Sequence, residues 1–289
     1  MTPRSLLLTL ACTTTGCATN LSLLSTANVL DPGHVRVTAG SGVYLPATQI
    51  VTAIATGTGV ATGVATRTAN GEKPKLTEAE EQQLMTTAVA LAVLPPAVMV
   101  QLEGRVGVVK NLELGLAYRG SAVRGDAKYR LLHSTDDAHP SASTDLAVDV
   151  GVAKYLFAGP VFKVLDLLHL DDFSRWDIDA SVTVSRDFSR FFSLYGAARY
   201  SWSRTTMDQT VVRISEVGSE LTRTELTFPS RLDMHFIGAT GGLRAGIEYI
   251  SLVLELTAGY TVANGDILGA SRSLGGVTLY PAIGLTAAF

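Results

Sequence analysis

Residues 123–132, VRGDAKYRLL, carry Arg124, Asp126, Lys128 and Arg130 on even positions and Val123, Ala127, Tyr129 and Leu131 on odd ones. A period of two is the signature of a β-strand with two unlike faces. The same alternation recurs along the chain. It is clear in HVRVTAGSGVY (34–44), VMVQLEGRVGV (98–108), NLELGLAYRG (111–120) and DLAVDVGVAKY (145–155). It continues in WDIDASVTVS (176–185), FSLYGAARYSW (192–202), SLVLELTAGY (251–260) and GVTLYPAIGLTAAF (276–289). MHFIGATGGLRAGIEY (234–249) alternates less regularly, and a bulge near Gly241–Gly242 would account for the slip. The pattern predicts about ten strands, within a range of roughly eight to twelve, mostly about ten residues long, the length a tilted strand needs to cross a bilayer.

Residues 46–97 break the period. Thr77 followed three residues later by Glu80 forms a capping box, and acidic residues crowd the next turn. This predicts a helix over about 78–94 that stops at Pro95–Pro96. Its second half, AVALAVL (88–94), is apolar all round and should bury against something. The preceding QIVTAIATGTGVATGVATRT (49–68) reads best as a helix with small residues (Ala55, Gly59, Gly63, Ala65) suited to close packing. Read instead as a hairpin, it raises the strand total to about twelve. The insertion serves as a capping or packing element, as a plug or gate, or as a partner-docking helix. The stretch 203–233 also alternates, and would extend a hairpin above the membrane.

Composition narrows the choice. The chain has 289 residues, a net charge of −3 and only 17% charged residues, which excludes the basic excess of a nucleic-acid binder. Hydrophobic residues make up 47%, yet the richest run (86–100) is interrupted by Pro95 and Pro96, too short for a membrane helix. High apolarity spread over alternate positions fits a membrane β-barrel. A row of charges facing hydrocarbon would cost several kcal/mol per group, so the ionic face must look inward. The expected lumen-lining set is Arg36, Glu103, Arg105, Glu113, Arg119, Arg124, Asp126, Lys128, Arg130, Asp145, Asp149, Asp177, Asp179, Arg199 and Glu255, with Arg244 in the same rows. Both signs occur in similar numbers. In so narrow a barrel they fill the interior as a salt-bridge network or, alternatively, line a narrow polar conduit. Outward Trp176, Phe192, Tyr200, Trp202 and Tyr260 suit an interfacial aromatic girdle. Short turns alternate with long connections (45–97, 156–175, 203–233, 261–275), with 119–123 the exception, and both barrel ends of the chain fall on the short-turn side.

The two termini carry resemblances. MTPRSLLLTLACTTTGCATN has the layout of a secretory leader. Its TTGC ending resembles the lipobox of bacterial lipoproteins, with Thr14 where that family usually has Leu. The resemblance implies a leader over 1–16, acylation of Cys17 in the inner leaflet, and a tether over 17–33 before a barrel of 34–289; the alternative is an ordinary secretory leader cut nearby. The last strand resembles the C-terminal signature of bacterial outer-membrane β-barrel proteins, on Gly284 and the terminal Phe289, with Ala287 where an aromatic is usual. That implies a closed antiparallel up-and-down barrel in a Gram-negative outer membrane, all-β, with a helical insertion after strand 1. It also implies the lipid bilayer and the outer-membrane assembly machinery as partners, with other envelope proteins possible and both termini periplasmic.

Catalytic chemistry is sparse. His34, His133, His139, His169 and His235 form no metal-ligand spacing, and no catalytic serine context is present. Only His169 near Asp171 and Asp172, and His235 near Asp233, would suit a hydrolase at the barrel rim. The expectation is therefore a non-enzymatic envelope component without cofactor or metal, its lumen charged and largely filled. A narrow channel gated by 46–97 is the alternative, and a rim hydrolase a more distant one.

Overall fold

The computed structural model describes residues 19–73, 75–135, 142–156, 168–217, 220–247, 249–267 and 270–289. Among them ten strands form a closed antiparallel barrel: β1 (Val35–Pro46), β2 (Ala97–Val109), β3 (Leu112–Tyr118), β4 (Ala122–Thr135), β5 (Ser143–Tyr155), β6 (Leu168–Ser189), β7 (Phe192–Val217), β8 (Glu220–Gly246), β9 (Ile250–Ile267) and β10 (Ala270–Ala288). Each strand pairs with its neighbour in sequence, and β1 closes the ring on both β2 and β10. Closure leaves no unpaired edge, so the backbone satisfies its own donors and acceptors.

The barrel is inside-out relative to a soluble protein. Val98, Val100, Leu102 and Val106 of β2 are exposed, whereas Gln101, Glu103 and Arg105 between them are buried. Leu114, Leu116, Val150, Val152, Val182, Val184, Leu256 and Leu285 also face out. Alternation selects which residues form strands, and the sign of burial selects the solvent on each side.

The strand ends define two mouths. The turns β2–β3, β6–β7 and β8–β9, with His34 and Phe289, lie at one end. The helical insertion and the β5–β6, β7–β8 and β9–β10 connections lie at the other. Strands β7 and β8 stay paired without a break from Phe192–Ala245 to Val217–Glu220, so 203–233 extends the hairpin.

The insertion folds as helix α1 (Ala47–Ala69) and helix α2 (Glu78–Val93), the helical rather than the hairpin reading of 49–68. The capping box is present: Thr77 Oγ1 accepts from the Glu80 N–H, and the Glu80 carboxylate accepts from the Thr77 N–H at 2.8 Å. Arg67 of α1 donates to the same carboxylate at 2.7 Å, which ties the hairpin together. Most of α1 is exposed, and Val51 and Ile54 point into solvent. Of the apolar stretch that ends α2, Ala90 and Leu94 are buried. The hairpin therefore stands at the mouth instead of filling the lumen.

Two expectations change. No register shift falls at Gly241–Gly242, and β8 runs in unbroken register with both neighbours. Its alternation is blurred because its inward residues Leu232, Met234 and Phe236 are themselves apolar and buried. Register shifts fall instead at 107/109, 130/132, 171/174 and 187/189. The second change concerns the stretch read as a tether. Residues 19–30 lie inside the barrel, with Leu21, Ser22, Leu24, Thr26, Ala27 and Val29 buried.

The hydrogen bonds from Thr77 and Arg67 hold the Glu80 carboxyl below the usual carboxylate range. A depressed pKa means that this tie is complete above the ordinary Glu value and is lost as pH falls. Amide exchange in α1 and α2 should therefore accelerate as pH drops below about 4 after correction for intrinsic rates. Glu80→Gln should flatten that dependence, and equal acceleration in both proteins would show that Glu80 does not hold the hairpin.

Candidate functional site

The lumen is built by the register of the early strands. Arg105 of β2 stands opposite Gly115 of β3, which pairs with Asp126 of β4, then Gly151 of β5, then Asp179 of β6. Small residues between the charges leave room for long side chains to meet across the wall. Arg105 contacts Glu103 and also reaches Asp126 at 2.8 Å, Glu113 at 3.1 Å and Asp149 at 3.3 Å. Arg124 contacts Asp149 and lies 2.6 Å from Asp126 and 2.7 Å from Asp179. Lys128 sits 3.1 Å from Glu113, and Arg36 completes that corner at 3.7 Å. Buried ions persist only when paired and hydrogen-bonded; here Arg105 and Arg124 are each shared among carboxylates from several strands, and Glu113 is shared among Arg36, Arg105 and Lys128.

The N-terminal segment is the second component. Its groups bond to seven strands and to the β3–β4 connection. At one end Thr19 Oγ1 accepts from Arg175 of β6. The Leu21 carbonyl accepts from Arg199 of β7 and from Thr257 of β9. Ser22 Oγ donates to Gln101 Oε1 of β2 at 2.6 Å, and the Ser22 carbonyl accepts from Arg119. The Ala27 N–H donates to Ser185 of β6 at 3.2 Å. Lys128 of β4 donates to Ser25 Oγ at 2.7 Å, and the Asn28 carbonyl accepts from Arg36 of β1. At the far end the Leu30 N–H donates to Glu113 of β3 at 3.0 Å. The Gly33 N–H then donates to the Gly107 carbonyl at 2.8 Å, where the chain turns into β1.

Glu255 of β9 is the central contact. Its two carboxylate oxygens accept the Leu23 and Leu24 N–H groups, each at 2.8 Å, and the Tyr195 hydroxyl donates to it at 2.7 Å. Leu24 has φ +47°, a left-handed conformation uncommon for a residue with a side chain. That kink turns two successive N–H groups toward one anion, the geometry of a backbone nest. It also places the Leu24 side chain against Gly40 and Gly284, register partners across the β1–β10 seam. A Cβ on Gly284 would come within 2.9 Å of Leu24 Cδ1, so glycine there leaves the notch that Leu24 fills. Leu21 and Leu24 join Tyr44, Leu94, Met99, Met234, Phe236 and Tyr280 in an apolar cluster in the half of the lumen nearer the helices. Two cavities beside Thr19 measure about 20 Å³ and 10 Å³, room for about one water each.

Of the expected lumen residues, Arg36, Glu103, Arg105, Glu113, Arg119, Arg124, Asp126, Lys128, Asp145, Asp149, Asp177, Asp179, Arg199 and Glu255 are all buried and inward. Arg130, beside the register shift at 130/132, is half-buried and held at 2.8 Å by Asn111 Oδ1. Arg244 is half-buried beside Ser193 and Asp187. Trp176, Phe192, Tyr200 and Tyr260 face outward and exposed, and Trp202 is half-buried. Phe192 and Trp202 lie ten residues apart on β7, about 33 Å of strand, or ~25 Å along the axis at a tilt of ~40°. That matches the height of an outer-membrane apolar band. Lys154 over Trp176 and Arg204 over Trp202 place cations beside the upper rings. Phe289 is exposed, its backbone paired with Val35. Cys17 and His139 lie outside the described residues.

The His235–Asp233 pair of the rim reading does not form, and the backbone register keeps His235 away from His169. His235 Nδ1 lies 2.8 Å from the Tyr200 hydroxyl on the outer surface, while Asp233 bonds Arg204. His235 shares a row with Trp202 and Ile178, nine residues along β6 from His169, about 30 Å of strand. Among the described residues no group of three His, Cys, Asp or Glu is placed to hold a metal ion.

No protein-family model matches the sequence, and no curated protein matches it. Solved structures similar to it are bacterial barrels. The N-terminal β-barrel domain of Pseudomonas aeruginosa OprF is 10% identical, covering 90% of this chain and 100% of its own, with TM-score 0.27. Neisserial surface protein A is 13% identical over 89% and 96%, with TM-score 0.30. The CymD monoaromatic hydrocarbon channel is 8% identical over 95% of each chain, with TM-score 0.33. Similarities this weak carry no argument about activity.

Removing the shared guanidinium should be costly. Arg124→Met leaves Asp126, Asp149 and Asp179 crowded around one fewer cation, and unpairing buried ions costs about 3–5 kcal/mol. The temperature at which the folded, heat-modifiable gel band converts to the unfolded one should fall clearly. An unchanged conversion temperature would show that the network is not stabilising.

Proposed function

We propose that this chain is an integral outer-membrane β-barrel lipoprotein that acts as a non-enzymatic component of the cell envelope, with a lumen kept shut by its own residues 19–30. One observation carries the reading: an uncharged segment runs through the interior, hydrogen-bonded to seven of the ten strands. The apolar outer face and the spacing of its aromatic rows support residence in a bilayer. In this reading Cys17 carries the acyl group, and the last strand with Phe289 is what the assembly machinery engages. The exposed α1–α2 hairpin and the β7–β8 extension are free to meet other envelope proteins.

A channel reading survives in altered form. A ten-stranded barrel is wider than the eight-stranded kind that side chains alone fill, so the segment occupies what would be a conduit. The plug is then residues 19–30, and α1–α2 stands beside the mouth.

In planar bilayers the full chain should show no conductance steps. Deleting residues 19–30 should produce discrete steps, and Glu255→Ala, which removes the acceptor for the Leu23 and Leu24 N–H groups, should produce brief openings. Steady conductance from the full chain, or silence from a deletion variant that keeps its heat-modifiable band, would overturn the plug.

A further inference from the structure

The plug has a direction. Thr19 lies at the mouth that carries the helices: it lines one cavity with Tyr155 and Asp177, and another with Tyr44 and Leu94. Tyr44 lies near the end of β1, Leu94 just before β2 begins, and Tyr155 closes β5. Leu30 lies at the opposite mouth, beside Glu113 at the start of β3, and Gly33 pairs with Gly107 near the end of β2. Eleven residue steps separate Thr19 from Leu30, up to ~36 Å of extended chain, enough to span the lumen. The chain therefore traverses the interior once from Thr19 to Gly33, reverses, and climbs back in the wall as β1.

From this geometry we infer that the chain is threaded through its own barrel, so that Thr19, the first described residue, is presented at the long-connection mouth, the cell exterior, and not at the periplasmic end. The inference rests on the proposed outer-membrane residence, oriented with the short-turn end, where β1 begins and β10 ends, in the periplasm and the long connections outside.

It has a chemical consequence for Cys17. Two peptide steps reach at most about 7.6 Å, which is the longest covalent tether between Thr19 and an acyl group on Cys17. The short-turn mouth lies a lumen's length away. That tether cannot reach the leaflet at the short-turn mouth, so the lipidation proposed for Cys17 requires the outer leaflet in place of the expected inner one. The lock is geometric as well. Leu24 fills the notch at the β1–β10 seam, the pair that closes the ring. The barrel therefore closes around the segment, and the bonds to Glu255, Arg199 and Lys128 hold it there.

The chain carries its own reference points. Lys73, between the two helices, is exposed on the long-connection side, and Lys110, in the β2–β3 turn, is exposed on the short-turn side. Thr19→Lys in the full chain adds a third amine at the disputed position. Cells expressing it are treated with a membrane-impermeant amine reagent, intact or after outer-membrane permeabilisation, and labelling is mapped by peptide mass spectrometry. Lys73 and the new amine should label in intact cells, and Lys110 only after permeabilisation. If the amine at 19 instead follows Lys110, the threading is wrong. If Lys73 and Lys110 label alike in intact cells, the membrane-spanning reading fails, and the threading inference fails with it as a distinct outcome. Should Thr19→Lys lack the heat-modifiable band, Ala18→Lys supplies the same readout.

Discussion

Every feature of this barrel follows from where ionised side chains can exist. Hydrocarbon outside tolerates no row of charges, and a closed sheet gives each strand only two directions. Arg36, Glu103, Arg105, Glu113, Arg124, Asp126, Lys128, Asp149 and Asp179 are therefore driven inward together. Once inside, they must neutralise one another. Arg105 and Arg124 each meet carboxylates from more than one strand, because those strands pair in the register that stacks cation against acid. The network both permits the closed sheet and fixes its register, since a slip of one residue would turn the charges onto the lipid face.

The lumen is not uniform. Ionic pairs crowd the wall built by β2 to β6. The half nearer the helices is lined by Tyr44, Met99, Met234, Phe236 and Tyr280. One segment meets both environments. Leu21 and Leu24 enter the apolar half, while the backbone and the hydroxyls of Ser22 and Ser25 satisfy Gln101, Arg119, Arg199, Lys128 and Glu255. An uncharged chain suits the task, since its peptide groups offer donors to carboxylates and acceptors to guanidinium groups without adding net charge. Glu255 shows this most clearly: it accepts from two backbone N–H groups of the segment, from the Tyr195 hydroxyl and from Thr257 Oγ1. The segment is as much a part of the core as any strand.

The alternation of polar and apolar residues determined the class of fold, the approximate strand count, the inward set from Arg36 to Glu255 and the outward aromatic rows. All of these follow from a period of two imposed on each short stretch separately. The capping box at Thr77 and Glu80 is equally local, and α2 begins where it stands. Tertiary structure decided what depends on residues distant in the chain. Residues 18–30 have no charge, glycine or proline and are half apolar, a composition ill suited to a solvated tether; that was a signal of burial without a location. Its location required the wall: Glu255 lies 231 residues from Leu24, and the Gly40–Gly284 notch exists only once the first and last strands meet. The regularity of β8 was likewise hidden, because its inward face packs on an apolar cluster that only closure assembles. Periodicity reports which face a residue takes. What fills the space behind that face is set by contacts no local pattern encodes.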